Sequence, residues 1–305
     1  MSQPQHLWGI DLGGTKIEGA IIDPAKPDEA VHRLRVETGA ALGYGHILSQ
    51  IISVVRELSS RSGEKLPARL GIGTPGAVEP GSGTLKNSNT VCLINQPLPT
   101  DLAQALGCEV FIANDANCCA LAEATLGSAR DASVVFGIIL GTGVGGGIVV
   151  DGKILKGCYG IAGEWGHNPL RGEDEPCYCG RRGCIETVIA GPSLERFYHH
   201  QGGEKIRLPE IVARAATGEP LAIQTLERLR EKFGEALAAV LNILDPDAVV
   251  IGGGVGNLDL LYEEATREAI ARYLFNPTLR TRILRPALGD SAGVFGAAML
   301  ARGNQ

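Results

Sequence analysis

The chain has no apolar run approaching the ~20 residues that a bilayer-spanning helix needs. Its opening, Met1-Ser2-Gln3-Pro4-Gln5-His6, lacks the basic-then-apolar order of a secretory signal, and a strand is expected to begin directly after it. Both absences lead to an expectation of the cytoplasm, where thiols stay reduced. Nor is there an excess of positive charge. The 28 Lys and Arg stand against 34 Asp and Glu, a formal net charge of −6, which argues against a nucleic-acid partner. No long linker or low-complexity stretch interrupts the 305 residues, and 44% hydrophobic with 20% charged side chains is the composition of a globular chain. That length accommodates two modest domains or one large one.

Glycine is plentiful. Its 42 residues gather in short clusters, as expected where backbone turns tightly or comes close to a ligand. Two strand–turn–strand units are expected: 7–12 and 17–22 around Gly13-Gly14-Thr15-Lys16, then 134–140 and 148–150 around a glycine-rich turn over 141–147. A helix is expected over 44–61, because Ile47, Ile51, Val54, Val55 and Leu58 recur at helical spacing. Short strands follow over 69–73 and 109–113, the second leading into a helix through Glu123. A long helix carrying Leu229, Phe233, Leu237 and Leu241 stops at Asp245-Pro246, before a strand over 248–251. Asp290-Ser291 is expected to cap a last helix through Ala301, where Gly293, Gly296, Ala297 and Ala298 permit close packing. Strands alternating with helices put the chain in the α/β class, and the repeated unit suggests two related halves. The expected domains are 1–118, joined by the C-terminal helix 290–305, and 119–289.

Asp11-Leu12-Gly13-Gly14-Thr15-Lys16 sets a carboxylate at a strand end beside a turn whose N–H groups can point at an anion. Thr15 adds a hydroxyl and Lys16 a cation, and Asp11 could hold Mg²⁺. This is not the G-x-x-x-x-G-K-[ST] loop, and a plain hairpin turn is the alternative. Gly141-Thr142-Gly143 repeats the device, and Gly145, Gly146 and Gly147 leave no side chain to obstruct a phosphate or an approaching domain. Gly252-Gly253-Gly254-Val255-Gly256 lacks the G-x-G-x-x-G form, so it reads as a platform for a nucleotide base or ribose, or as a tight turn.

Phosphoryl transfer to a hydroxyl calls for a carboxylate that orients the hydroxyl and accepts its proton. Asp115, at the end of a strand, is the candidate base, and Asn114 could hold a neighbouring hydroxyl; helix capping is the other use of such a position. Glu164, His167 and Glu186 add groups that can bond sugar hydroxyls, unless the two glutamates form a plain surface cluster. Of the eight cysteines five are scattered, whereas His167, Cys177, Cys179 and Cys184 give H-x9-C-x-C-x4-C, a set suited to tetrahedral zinc. Reducing conditions favour metal over a disulfide, with unliganded thiols in a loop as the alternative. Four protein ligands leave no open position, so the zinc would be structural and would brace the loop 164–186. One ring nitrogen of His167 would then serve the metal and the other a sugar hydroxyl.

The segments Gly9-Ile10-Asp11-Leu12-Gly13-Gly14-Thr15-Lys16, Asn114-Asp115-Ala116-Asn117, Gly141-Thr142-Gly143, Glu164-Trp165-Gly166-His167 and Cys177-Tyr178-Cys179-Gly180 through Cys184-Ile185-Glu186 resemble the ROK family of sugar kinases and related repressors. The resemblance runs nearly end to end. It implies an actin-like ATPase (ribonuclease H-like) fold of two α/β domains, with ATP, Mg²⁺ and a sugar in the cleft between them. It also implies Asp115 as base, and Asn114, Glu164, His167 and Glu186 at the sugar, with Gly76 and Asn89 lining its pocket. A homodimer is a further implication.

Within the family, the segments 164–170 and 176–180 look most like bacterial fructokinases that also accept mannose. Fructose or mannose phosphorylated to the 6-phosphate is therefore the expected reaction, with N-acetylglucosamine, N-acetylmannosamine or glucose as the alternative. A sugar-responsive repressor of the family would carry an N-terminal helix-turn-helix domain, for which residues 1–6 leave no room. A nicotinamide dehydrogenase is excluded by the form and place of the glycines. A zinc-ribbon nucleic-acid module is disfavoured by the acidic charge, and a two-metal nuclease by the lack of clustered carboxylates.

Overall fold

The computed structural model describes residues 6–27, 29–276 and 278–302. The chain divides into two units: the first takes in the residues up to Asp131, Gly147–Ala162 and those from Ala287 on, and the second Ala132–Gly146 and Gly163–Pro286. No helix among the described residues is long and apolar enough to cross a membrane.

In the first unit, β1 (Leu7–Leu12) and β2 (Lys16–Ile22) form an antiparallel pair, and β3 (Ala30–Glu37) adds to β2 as an edge strand. Glu18 of β2 is buried under β3, where it takes ion pairs from Arg33 and Arg35. Helix α1 (Tyr44–Ser62) buries the five apolar residues its spacing announced and ends on Gly63, at φ 72°. Strand β4 (Arg69–Thr74) runs parallel to β1, and β5 (Ala77–Val78) pairs with β6 (Leu85–Lys86) in a small hairpin. After α2 (Leu98–Leu106), β7 (Glu109–Asn114) lies parallel to β4 and passes without a loop into α3 (Asp115–Thr125).

Then come β8 (Val134–Leu140), β9 (Val144–Val150) and β10 (Lys153–Ile154), followed by α4 (Glu186–Ile189), α5 (Gly191–His200), α6 (Leu208–Ala216) and α7 (Pro220–Leu244). The chain continues through β11 (Ala248–Gly252), α8 (Glu264–Ala271) and β12 (Arg282–Leu284) to α9 (Ala292–Leu300). The sheet orders are β3-β2-β1-β4-β7 and β10-β9-β8-β11-β12. Each therefore reads third, second, first, fourth, fifth, so the two halves share one topology. Parallel strands β1, β4 and β7 end on one edge of their sheet, as β8, β11 and β12 do on theirs. Such carboxyl edges are where α/β sheets bind ligands.

Two expectations are corrected. The glycines of 141–147 are not one turn: only Gly141-Thr142-Gly143 turns, while Gly145, Gly146 and Gly147 belong to β9. A Cβ on Gly146 would lie 2.7 Å from the Gly163 carbonyl oxygen and 3.0 Å from the Trp165 ring, and one on Gly147 would lie 2.8 Å from the Asn117 Cα. These glycines admit protein neighbours. Second, Ser291 does not cap α9. A 3-10 turn (Gly289–Ser291) leads into the helix, Ser291 is itself helical, and its side chain accepts no cap bond; the Asp290 side chain lies outside the described residues.

All nine residues of α9 are buried. The helix lies against β1, β4 and α3, which keeps α3 with the first unit and carries that unit to Asp131, past residue 118. Glycines make the contact possible. A Cβ on Gly296 would clash with the Cys118 carbonyl oxygen, which is backbone and cannot swing aside. Alanine is favoured over glycine in a helix by about 1 kcal/mol, but overpacking a core costs about 1–3 kcal/mol, and more where nothing yields. Gly296→Ala is therefore expected to lower the urea midpoint of unfolding; an unchanged or higher midpoint would mean α9 is not seated this closely.

Candidate active site and metal centre

At the carboxyl edge of the first sheet, Gly13 donates its amide to the Lys16 carbonyl at 2.9 Å, and the Thr38 hydroxyl braces the Gly13 carbonyl at 2.7 Å. Gly14, Thr15 and Lys16 stand exposed at the tip. Gly76 follows β4 with φ 89°, and a Cβ there would meet the backbone of Lys86 and Ser88. That close approach sets the exposed Asn89 just beyond it. Thr74 and Asn114 are in register across β4 and β7, so these residues share one edge with Asp11.

Asn114, not Asp115, is the N-cap of α3: its Oδ1 accepts from the Ala116 amide at 2.8 Å and the Asn117 amide at 3.3 Å. Asp115 occupies the first helical position and takes one further bond from the Ala116 amide, at 2.8 Å. Burial raises its carboxyl above the ordinary range, although bonds from Ala116 and Asn114 work against the shift. Asp11 is pushed up to about 6 by burial first, then by the charges of Asp115 and Glu18, against Lys16 and Arg35. The mutual repulsion of Asp11 and Asp115 suits a place that takes up a proton or a divalent cation.

Gly9, which opens the segment quoted above through Lys16, lies within β1. A Cβ there would lie 2.5 Å from the Ala298 amide, so its bare Cα serves α9.

In the second unit the two glycine turns are neighbours. Gly141 closes its turn on the Gly143 carbonyl at 2.9 Å and accepts from the Gly191 amide at 2.8 Å, while Val255 and Gly256 both donate to Leu140. A Cβ on Gly141 would stand 3.6 Å from the Gly254 amide. Gly253, at φ 89°, is demanded by its approach to the Leu140 backbone, whereas Gly254 faces open space. Trp165 is buried edge-on to Phe136 and Phe233, and its indole N–H reaches the Gly145 carbonyl at 3.2 Å. That anchor holds Glu164 on one side and His167 on the other. Glu186, first residue of α4, accepts from the Val144 amide at 2.9 Å, and its carboxylate lies 2.6 Å from where a Gly143 Cβ would be. A residue expected at the sugar thus also braces the turn of 141–143.

The ligand atoms of His167, Cys177, Cys179 and Cys184 all lie within 4.8 Å of one another. The Cys179 and Cys184 sulfurs are 3.6 Å apart, as are the Cys177 sulfur and His167 Nδ1. Ligands of a tetrahedral zinc with sulfur at about 2.3 Å stand about 3.8 Å apart, so the set fits. Bridges between Pro169 and Cys184 and between Pro176 and Arg182 close the loop, with Gly180 and Gly183 in left-handed turns. Since Nδ1 faces the cysteines, Nε2 would carry the proton and act as a donor. It lies 3.1 Å from the hydroxyl of Tyr178, a side chain that is 84% exposed. Tyr178 was passed over in the sequence, where its one signal is its place between two metal ligands.

Compared with known proteins, residues 7–304 match the ROK family. This chain belongs to the ROK family. An N-acetyl-D-glucosamine kinase of Yersinia pseudotuberculosis is 38% identical over 303 residues, covering 96% of this ROK chain and 98% of the relative. The ROK hexokinase of Thermus thermophilus superimposes with a TM-score of 0.86 at 32% identity, over 98% of each chain. A ROK family glucokinase of Streptomyces griseus, solved with glucose and AMPPNP, gives 0.78 at 29% identity, over 98% of this chain and 99% of that one. The actin-like ATPase fold expected from the resemblance is the fold of this ROK protein.

The expectation of fructose or mannose finds no support among these relatives. The segments that suggested it include the buried Trp165 and the His167, Cys177, Cys179 and Cys184 cluster.

Proposed function

We propose that the protein is an ATP-dependent kinase of N-acetyl-D-glucosamine that phosphorylates the C6 hydroxyl. The 38% identity to an N-acetyl-D-glucosamine kinase across 96% of the chain carries this reading. Asp115 accepts the proton of the attacking hydroxyl, helped by a carboxyl that burial makes more basic. Gly76, Asn89 and Asn114 are the sugar-binding residues that the first unit offers and Glu164 and Glu186 those of the second, where His167 donates from Nε2 to a sugar hydroxyl. The turns of 13–16 and 141–143 turn amides toward the phosphates, with Gly254 beneath the nucleotide. Asp11 would hold Mg²⁺, which supplies charge neutralisation at the phosphates. The zinc set holds the frame of the sugar site and touches no reacting atom.

An ATP-consumption panel over N-acetylglucosamine, N-acetylmannosamine, glucose, mannose and fructose tests the substrate. N-acetylglucosamine is expected to lead in kcat/KM by tenfold or more, about 1.4 kcal/mol of transition-state preference. A tenfold lead for fructose or mannose would reverse the assignment. No turnover with any sugar would sink the kinase reading and leave a sugar-binding regulator.

A further inference from the structure

The loop that carries His167, Cys177, Cys179 and Cys184 is tied to α7 through a residue that is not one of these four. Glu173, in the turn between His167 and Cys177, meets two cations of α7: Arg228 at 2.6 Å and Lys232 at 3.3 Å. These are spaced four residues apart, one helical turn, so they present a single face. Lys232 also reaches the Arg171 carbonyl at 3.3 Å and Glu235 at 3.1 Å, while the Arg228 guanidinium lies over the Phe197 ring of α5, 4.7 Å from its centre. The pair is shielded: the Glu173 side chain is 15% exposed and that of Arg228 24%. Charges so placed are screened less than surface pairs, and Arg stacked on an aromatic ring is pre-organised.

The anchor also reaches the ligand array through the backbone. A Cβ on Gly183 would run into the Glu173 carbonyl, so Gly183, at φ 67°, lies directly on the anchored turn. Leu170 donates to the Gly183 carbonyl at 2.8 Å, and Gly183 to Glu175 at 2.9 Å. Cys184 is the next residue, and it is bridged to Pro169, two residues after His167. Fixing Glu173 therefore fixes the two strands that bring His167 and Cys184 together.

We infer that Glu173 is a positioning residue for the metal centre: through Arg228 and Lys232 it keeps the four ligands assembled when no metal is bound. This rests on the zinc reading of His167, Cys177, Cys179 and Cys184. A preassembled set binds without the ordering cost that a mobile loop must meet, and partners outside the ligand shell are typically worth 10–100-fold in metal affinity.

The test compares zinc affinity, by competition with a chromophoric chelator, in the full-length wild type, Glu173→Gln and the charge-swapped double variant Glu173→Arg/Arg228→Glu. Glu173→Gln is expected to bind zinc at least about tenfold more weakly. The double variant is expected to recover part of that loss. The melting temperature of the metal-free protein should hardly change, and protease cleavage within 170–183 should rise in the metal-free Glu173→Gln protein alone. Wild-type zinc affinity in Glu173→Gln would overturn the inference, as would a metal-free melting temperature that falls in step with affinity. If the wild type itself takes up no zinc, the metal reading fails and this inference with it; if it binds zinc and the variant binds equally well, only the anchor fails.

Discussion

Asp115→Asn is expected to lower kcat by about 10²–10⁴-fold, the usual worth of a positioned general base, while sugar affinity changes little. The variant isolates the proton-accepting function because the local structure does not depend on the charge. Asn114 performs the capping of α3, and an asparagine at 115 keeps an oxygen for the Ala116 amide. What disappears is the one group in this position that can take a proton. The pH profile gives a second readout. Burial raises the Asp115 carboxyl, so the acid limb of kcat/KM is expected above the ordinary aspartate range, with activity lost as pH falls through it. Near-normal turnover in Asp115→Asn would reduce the residue to a helix-start carboxylate.

Cys179→Ser is expected to take zinc from about one per chain to nearly none, and to raise the sugar KM by tenfold or more. Cys179 is the exposed member of the set, whereas Cys177 and Cys184 are buried, so its replacement changes the metal with little effect on packing. Structural zinc can supply on the order of 10 kcal/mol of local folding free energy, far more than one surface sulfur contributes. ATP affinity should fall less than sugar affinity, because the turn of 13–16 belongs to the first unit. It should not escape entirely: Glu186, at the end of the metal loop, is bonded to Val144 beside the turn of 141–143. Elemental analysis and separate KM values for sugar and ATP check this. Full zinc content with unchanged KM would defeat the idea, and equal loss of both affinities would indicate general unfolding.

Much of this arrangement was legible because it rests on local rules. The helical spacing of Ile47 to Leu58, the apolar run of β8 and the clustering of His167 with Cys177, Cys179 and Cys184 each concern a few neighbouring residues, and each stands in the structure. Misreadings fell where meaning depends on a distant partner. Gly146 and Gly147 look like part of a turn in the sequence, yet they lie in β9, where Gly163, Trp165 and Asn117 fill the space beside them. Strand β3 went unseen because the outward Val31 and inward His32 reverse the alternation that Leu34 and Val36 keep with Arg33 and Arg35, and because the partner of those arginines is Glu18 of β2, distant in sequence. The sugar could not be read from the short segments 164–170 and 176–180, since residues from elsewhere in the chain, Gly76, Asn89 and Asn114 among them, are also expected at it.

The placement of α9 has a consequence for the order of synthesis. The first unit's strands β1 and β4 leave the ribosome before the second unit, but the helix that lies against them is made only after it. At ~5–20 residues per second, the interval between Asp131 and the end of α9 is on the order of ten to thirty seconds. Through that interval the second unit can complete its sheet, while the apolar seat of α9, with Gly9 and Gly71 on its floor, has no permanent cover. The nascent chain must shield that seat by transient collapse or a chaperone, and loss of the last few dozen residues would leave it open for good.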